Sequence, residues 1–269
     1  MNNFFTRTLT GFLFVLVLIG SILFHSLTFA LLFLLINIIA LNEFYTISKL
    51  TRAKPQLIYG AIVGSLIFIA GFVSNNFQLG NSLTLLSIPL ILFVFVWELY
   101  RKHKYPVLNI GVTLFGLFYV TLPLFLLNYL VFFDKEYSGK ILLGIFILIW
   151  VSDTGAYLFG VTLGRHRLFE RISPKKSWEG FLGGALLAFG SSFLISKYLG
   201  VLNLQHWIVI SLIVVVFGTL GDLVESLIKR SIGIKDSGKI LPGHGGILDR
   251  FDSLLFAIPV IFTYLYFFL

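Results

Sequence analysis

Two pairs of carboxylates near the C-terminal end of the sequence have a spacing that suits chemistry on a bound cation. Asp222 and Glu225 stand three residues apart near the end of an apolar segment, so a helix would place them on one face. Asp249 and Asp252 repeat this spacing where the last apolar segment begins. Mg²⁺ prefers oxygen ligands and usually relies on one or two carboxylates plus substrate phosphates. The four carboxylates therefore predict a divalent-cation site.

Simpler roles remain open for two of these side chains. Lys229 lies four residues after Glu225, so an ordinary Glu–Lys helix pair would also explain that carboxylate, whereas the sequence offers no such partner for Asp222. Asp252 could cap the last helix or act in catalysis.

Further carboxylates fall into two groups. Asp153 and Glu179 lie within or beside apolar runs, where a carboxylate is costly unless it is paired, metal-bound or functional. Glu43, Glu98 and Glu170 stand beside basic residues, and we expect each at a solvated helix end.

Basic residues and glycines surround the carboxylate pairs, as a metal–triphosphate site requires. Glycine lets the backbone approach an anion, and Lys or Arg neutralises it. His244, between two glycines, is the best histidine candidate. The phosphate-binding candidates of this region are Lys229, Arg230, Lys235, Lys239, Gly238, Gly243, Gly245, Gly246 and Arg250.

A second basic loop precedes the span that starts at Trp178. Ser173 before Pro174 predicts a helix start, whose first amides together with Lys175 and Lys176 would form an anion site at the membrane surface. A plain positively charged anchor is the competing interpretation. The glycines of the following span need no catalytic role, because they permit close helix packing.

The composition excludes an ordinary water-soluble globule. Of 269 residues, 58% are hydrophobic and 12% charged, with a mean hydropathy of +0.97, against about 25% charged residues in soluble domains. There is no cysteine, so disulfides, Cys-ligated zinc and thiol nucleophiles are excluded. The sequence predicts an all-α polytopic membrane protein.

Apolar runs divide the chain into about nine transmembrane helices, with a kink expected at Pro123 in the fifth. If the N-terminus is cytoplasmic, all Lys and Arg except Lys135, Lys140 and Lys197 lie inside, so the positive-inside rule favours N-in and C-out. This topology explains the net charge of +8, and nucleic-acid binding is not expected. The spans lie near 9–24, 27–41, 57–73, 82–97, 107–133, 141–163, 178–196, 207–227 and 253–269.

We expect residues 1–269 to form a single transmembrane domain. Its N-terminal helices occupy about 1–130, and its catalytic half about 140–269, with the site at the cytoplasmic face.

The C-terminal half resembles the phosphatidate cytidylyltransferases (CDP-diacylglycerol synthases). The signature matches 226–230, 235–238 and 241–252, and further family motifs match 152–157, 173–180 and 221–226. Ser177 stands where threonine is common. The first 130 residues agree only in hydropathy and general plan.

The resemblance implies transfer of a cytidylyl group from CTP to phosphatidate, giving CDP-diacylglycerol and pyrophosphate with a divalent cation. Asp222 and Asp249 would hold Mg²⁺, with Asp153, Glu225 and Asp252 as further candidate ligands and a second cation as an option. Lys239 and His244 are expected to be catalytic together with Asp222 and Asp249. The remaining expected site residues bind substrate phosphates: Lys175, Lys176, Ser177, Lys229, Arg230, Gly245, Gly246 and Arg250.

The expected partners are CTP, phosphatidate and membrane lipids, with a homodimer compatible with the family. The expected location is a bacterial inner membrane. A cation-coupled transporter, or a lipid kinase that uses CTP, is the alternative function.

Overall fold

The fold is a set of long apolar helices. The computed structural model describes residues 3–80, 82–238, 240 and 245–269. A π-helical turn, Leu117–Thr121, separates α6 from α7. The helices are α1 (Asn3–Phe24), α2 (Ser26–Ser48), α3 (Leu57–Asn76), α4 (Ser82–Leu85), α5 (Ser87–Arg101), α6 (Pro106–Gly116), α7 (Leu122–Val131), α8 (Lys140–Leu163), α9 (Trp178–Leu199), α10 (Leu204–Ser231) and α11 (Leu248–Phe268).

Within the described residues, eight helical segments are long and apolar enough to cross a bilayer, and Thr8–Phe24 is a shorter apolar helix. The segments α4–α5 and α6–α7 each count as one span. Large apolar side chains such as Phe12 and Leu31 are exposed, as a surface in contact with lipid requires. The prediction of an all-α polytopic membrane protein is confirmed.

The fifth span, in which a kink was expected at Pro123, has an irregular turn just before this proline. The π-helical turn Leu117–Thr121 occupies this position. Proline has no amide hydrogen, and its ring would clash with the carbonyl four residues earlier, here that of Tyr119. A widened turn is one way in which a helix relieves that clash.

The chain divides into two compact units. The first contains the chain up to Ser138 together with Ile232–Arg250. Its core is centred on Tyr45 of α2, which is fully buried and donates a hydrogen bond to the Thr113 carbonyl (2.8 Å). A side chain at Gly60 would lie 2.6 Å from the Tyr45 hydroxyl, so glycine there leaves room for the ring.

The second unit contains Gly139–Ser231 and Phe251–Leu269. Its core includes Trp207, which is fully buried, and Phe146, whose ring meets that of Phe251 edge-on at 6.3 Å between centroids.

The helix start predicted at Ser173–Pro174 is wrong, because these residues belong to a short hairpin in the second unit. Strands β1 (Arg167–Phe169) and β2 (Ser173–Ser177) pair antiparallel, and α9 begins only at Trp178. An extended Ser173 would also suit a helix start, because an N-cap residue is not helical, so the pairing of Ser173 and Ser177 with β1 is what delays the helix. Ser177 caps α9 instead, because its hydroxyl oxygen accepts a hydrogen bond from the Gly180 amide at 3.2 Å.

Glycines bring α8 and α9 into backbone contact, as the sequence predicted. A Cβ at Gly184 would lie 2.7 Å from the Ser152 carbonyl oxygen, and one at Gly180 would lie 2.7 Å from that of Ala156. These distances leave no space for a methyl group, so the close approach depends on glycine. For Gly190, farther along α9, the expectation of close packing is wrong, because nothing lies within 4 Å of a Cβ position there.

We expect Gly184→Ala to destabilise the protein by about 1–3 kcal/mol, because the added methyl group forces α8 and α9 apart. Gly190→Ala is the matched control on the same helix and should leave stability unchanged or raise it. Thermal unfolding of the purified proteins in detergent measures both. Equal melting temperatures for the two variants would contradict the packing argument.

Candidate active site

Three carboxylates of the second unit form a compact cluster. Each of Asp222, Glu225 and Asp252 has an oxygen within 4.8 Å of the others. Asp222 and Glu225 share one face of α10, as predicted, and Asp252 lies in the second turn of α11. Gly221 allows this approach, since a Cβ there would lie 2.5 Å from the Asp252 carbonyl oxygen.

Two lysines compensate the negative charge of this cluster. Lys229 Nζ lies 2.7 Å from Glu225 Oε2, so the simple helix pair considered for Glu225 does form. Both side chains are buried, at 10% and 1% exposure, so this pair differs from a solvated one. Asp222, for which the sequence offered no partner, pairs with Lys176 at 2.5 Å.

The hairpin explains how Lys176 reaches Asp222. Lys176 lies on β2, one residue before the cap of α9, and is half-buried, whereas Lys175 is exposed. The residues just before β1 are held by Glu179, which accepts hydrogen bonds from the amides of Arg165 (3.1 Å) and His166 (3.2 Å). Glu179 therefore has a structural role in positioning the basic loop.

Asp252 does not cap the last helix. α11 begins at Leu248, so Asp252 lies inside it, where its carboxylate accepts the Ser253 amide at 2.6 Å. The open choice between a cap and a place in the site is thus decided against the cap. Asp153, on α8, is exposed and interacts electrostatically with Asp252.

Asp249 accepts hydrogen bonds from the segment between α10 and α11, here called the signature loop, in the first unit. Its carboxylate accepts hydrogen bonds from the amides of Gly246 (2.8 Å) and Ser237 (3.0 Å). Gly245 has a φ of +83°, which glycine adopts without strain. The pairing of Asp222 with Asp249 on one metal ion stays a prediction.

Glu43 of α2 also holds the signature loop, and sequence reasoning missed it. The expected solvated helix end is wrong, because Glu43 is 6% exposed. Its two carboxylate oxygens accept hydrogen bonds from the amides of Ile247 (3.1 Å) and Leu248 (2.8 Å). It thereby satisfies amides at the start of α11. A Cβ at Gly246 would lie 2.6 Å from Glu43 Oε2, so a glycine at this position leaves room for the Glu43 carboxylate.

The expectation of a solvated helix end is also wrong for Glu98. It is 5% exposed and accepts hydrogen bonds from Gln56, Asn109 and Arg101. Glu170 is exposed, as expected.

The remaining predicted residues are placed as follows. Arg230 and Arg250 are exposed. Lys239 and His244 lie outside the described residues. The phosphate-binding roles assigned to these residues and to Gly245 stay predictions.

Comparison with known proteins identifies relatives that match nearly the whole chain. A sequence profile described as "Cytidylyltransferase family" matches residues 5–268. A phosphatidate cytidylyltransferase of Staphylococcus haemolyticus is 34% identical over 261 residues, covering 95% of this chain and 96% of the relative. Proteins of the same name from Staphylococcus epidermidis and Staphylococcus aureus are 32% and 33% identical, each over 95% of this chain and 96% of the relative.

We expect Glu43→Gln to loosen the start of α11. Hydrogen bonds to a charged group contribute about 1.5–3 kcal/mol, and the new amide nitrogen would face a backbone N–H. Hydrogen exchange at the Ile247 and Leu248 amides should therefore accelerate about tenfold or more. Glu170→Gln is the exposed control and should not change it. Unaltered exchange in the Glu43 variant would show that this carboxylate does not hold the loop.

We expect Lys229→Met to lower the free energy of unfolding by about 3–5 kcal/mol, because it leaves the buried Glu225 carboxylate uncompensated. Adding Glu225→Gln should restore most of the loss, since the excess charge is then removed. Lys235→Met, at an exposed position, is the control. The interpretation fails if the double variant unfolds as easily as the single one in the same denaturation experiment.

Proposed function

The chain belongs to the cytidylyltransferase family and is a CTP-dependent nucleotidyltransferase, and we propose that it transfers the cytidylyl group from CTP to phosphatidate. A phosphate oxygen of phosphatidate forms a bond to the α-phosphorus of CTP. The bond from that phosphorus to the oxygen bridging to the β-phosphorus breaks, and the products are CDP-diacylglycerol and pyrophosphate.

The observation that carries this proposal is the charge arrangement of the cluster. Three carboxylates, Asp222, Glu225 and Asp252, lie together, and the ion pairs of the described residues bring two lysines to them. Such a site keeps an excess of negative charge for a cation and also carries positive groups for phosphates.

The donor set fits a hard divalent cation, because all three side chains offer carboxylate oxygens. Asp222, Glu225 and Asp252 would hold a Mg²⁺ ion, with Asp153 nearby and Asp249 as the further ligand that the family resemblance implies. When bound, the cation would neutralise charge on the triphosphate.

The lysines of the cluster have the complementary task. Lys176 pairs with Asp222 in this structure, and its ammonium group would be available for a phosphate of the substrate when Asp222 serves as a metal ligand. Lys229 compensates the charge of Glu225 and orients its carboxylate through their 2.7 Å contact. Lys175, exposed beside Lys176, is suited to the phosphatidate head group.

No general base is required, because the attacking phosphate oxygen is already an anion. The difficulty is the repulsion between two polyanions, which the cationic groups reduce. We therefore expect direct transfer without a covalent enzyme intermediate. Inversion of configuration at a chiral α-thiotriphosphate is the expected result, and retention would refute the direct route.

We propose the plasma membrane of a bacterium as the location, with the cluster facing the cytoplasm. The bacterial relatives and the eight apolar helices support the first part, and the distribution of Lys and Arg supports the second. A homodimer stays an expectation from the family resemblance.

The test is an assay of purified protein in detergent with labelled CTP, phosphatidate and Mg²⁺. We expect labelled CDP-lipid and pyrophosphate in equal amounts, whereas a lipid kinase would leave the label in free CDP. Asp222→Asn and Asp252→Asn should each lower turnover at least about 100-fold, because a neutral amide is a poor ligand for Mg²⁺. Asp134→Asn, in a loop of the first unit, is the control.

Chelation tests the metal separately. EDTA should abolish turnover, and added Mg²⁺ should restore it. Full activity of the EDTA-treated protein would refute the metal proposal but would leave the assignment of the substrates unaffected.

A further inference from the structure

A cavity in the first unit lies where α2 ends, α3 begins and α5 ends. Its volume is about 910 Å³. None of its lining residues belongs to the candidate active site described above. The cavity therefore needs an explanation of its own.

The polar rim of the cavity is strongly basic. Lys49, Arg52 and Lys54 line it with exposed side chains. Across the part of the chain that the structure describes, none of these three side chains forms an ion pair with a carboxylate. Their charges are thus available to an anionic ligand.

Arg101, also at the rim, has a different task. Its guanidinium pairs with Glu98 at 2.8 Å and donates to the carbonyl oxygens of Lys54 (2.9 Å) and Pro55 (3.4 Å). It therefore fixes the loop that carries Arg52 and Lys54. A built support of this kind distinguishes the rim from a set of mobile surface lysines.

The start of α3 adds a second attraction for anions. This 20-residue helix begins at Leu57, and its N-cap residue, Gln56, makes no side-chain cap. The amides of the first turn therefore add partial positive charge at the cavity.

Gln56 itself points to a ligand with hydroxyl groups. Its amide nitrogen donates to the Val94 carbonyl (2.9 Å) and to Glu98 (2.8 Å). The side chain lines the cavity and is 3% exposed, yet its Oε1 accepts no hydrogen bond from the described residues. A buried carbonyl oxygen needs a donor, and a hydroxyl group of a ligand could supply one.

The opposite wall of the cavity is apolar and open to lipid. Ile58 and Ile62 of α3 are 74% and 51% exposed. The rings of Tyr59 and Trp97 stack beside them, 6.0 Å apart at 10°. Tyr and Trp favour the boundary between lipid and water, so the cavity spans that boundary.

We propose that this cavity binds one anionic glycerophospholipid. The phosphate lies between Arg52, Lys54 and the start of α3, a hydroxyl group of a polar head group such as that of phosphatidylglycerol lies near Gln56, and the acyl chains run along Ile58 and Ile62. A soluble phosphate would use only the basic rim and leave the apolar wall without a partner. None of the residues that line the cavity belongs to the candidate active site, so this proposal does not depend on the proposed function.

The experiment uses full-length protein in detergent without CTP, incubated with phosphatidylglycerol that carries a photoreactive diazirine in one acyl chain. We expect crosslinks within residues 57–62, read by mass spectrometry of the peptides. Unlabelled phosphatidylglycerol and phosphatidate should both compete, because both carry an anionic phosphate. The stronger competitor identifies which of the two lipids the cavity prefers. Phosphatidylcholine and inorganic phosphate should compete at least about tenfold less well.

Three variants make the result decisive. Arg52→Ala/Lys54→Ala should lower the crosslink yield at 57–62 about tenfold, whereas Lys135→Ala/Lys140→Ala, which removes the same charge elsewhere, should leave it unchanged. Ile62→Asn should lower the yield without removing the rim, and thermal unfolding checks that each variant is folded. Equal competition by phosphatidylcholine or by inorganic phosphate, or an equal yield in both double variants, would overturn the proposal.

Discussion

The constraint on which the site depends is that a carboxylate near apolar surroundings must be compensated. Asp222 and Glu225 meet it with Lys176 and Lys229, at 2.5 and 2.7 Å. Removing one partner of a buried pair costs about 3–5 kcal/mol, so Lys229 and Glu225 must be retained together, whereas the half-buried pair of Lys176 and Asp222 is less constrained. The elements that carry them, α10 and the β1–β2 hairpin, are then fixed in relation to one another within the second unit.

Close backbone packing brings these charged groups together. Gly221 lets the backbone of α11 approach α10, which places Asp252 beside Asp222. Gly180 and Gly184 do the same for α8 and α9, and α9 carries the hairpin at its start. Small residues are a general means of packing helices in lipid, where the hydrophobic effect does not hold helices together. In this unit the same device also sets the geometry of the charges.

The sequence was sufficient for features that depend on local periodicity. Apolar runs predicted the spans, and the i, i+3 spacing predicted that Asp222 and Glu225 share a face. It was insufficient for contacts between distant segments. Glu43 meets Leu248 across 205 positions, and a neighbouring basic residue made it look like a solvated helix end. The helix start at Pro174 failed because strand pairing with β1 overrides the local preference.

The carboxylates of this protein divide by what they accept. Glu43, Asp249 and Glu179 accept backbone amides, and each holds a loop or a helix start. In the cluster, Asp222 and Glu225 pair with ammonium groups, and Asp252 lies within 4.8 Å of both. A carboxylate that faces backbone amides has its partner built into the fold, whereas an ammonium on a long side chain can move to a phosphate. The second arrangement can exchange partners during a reaction, which is why the cluster at Asp222, Glu225 and Asp252 is the better candidate for chemistry.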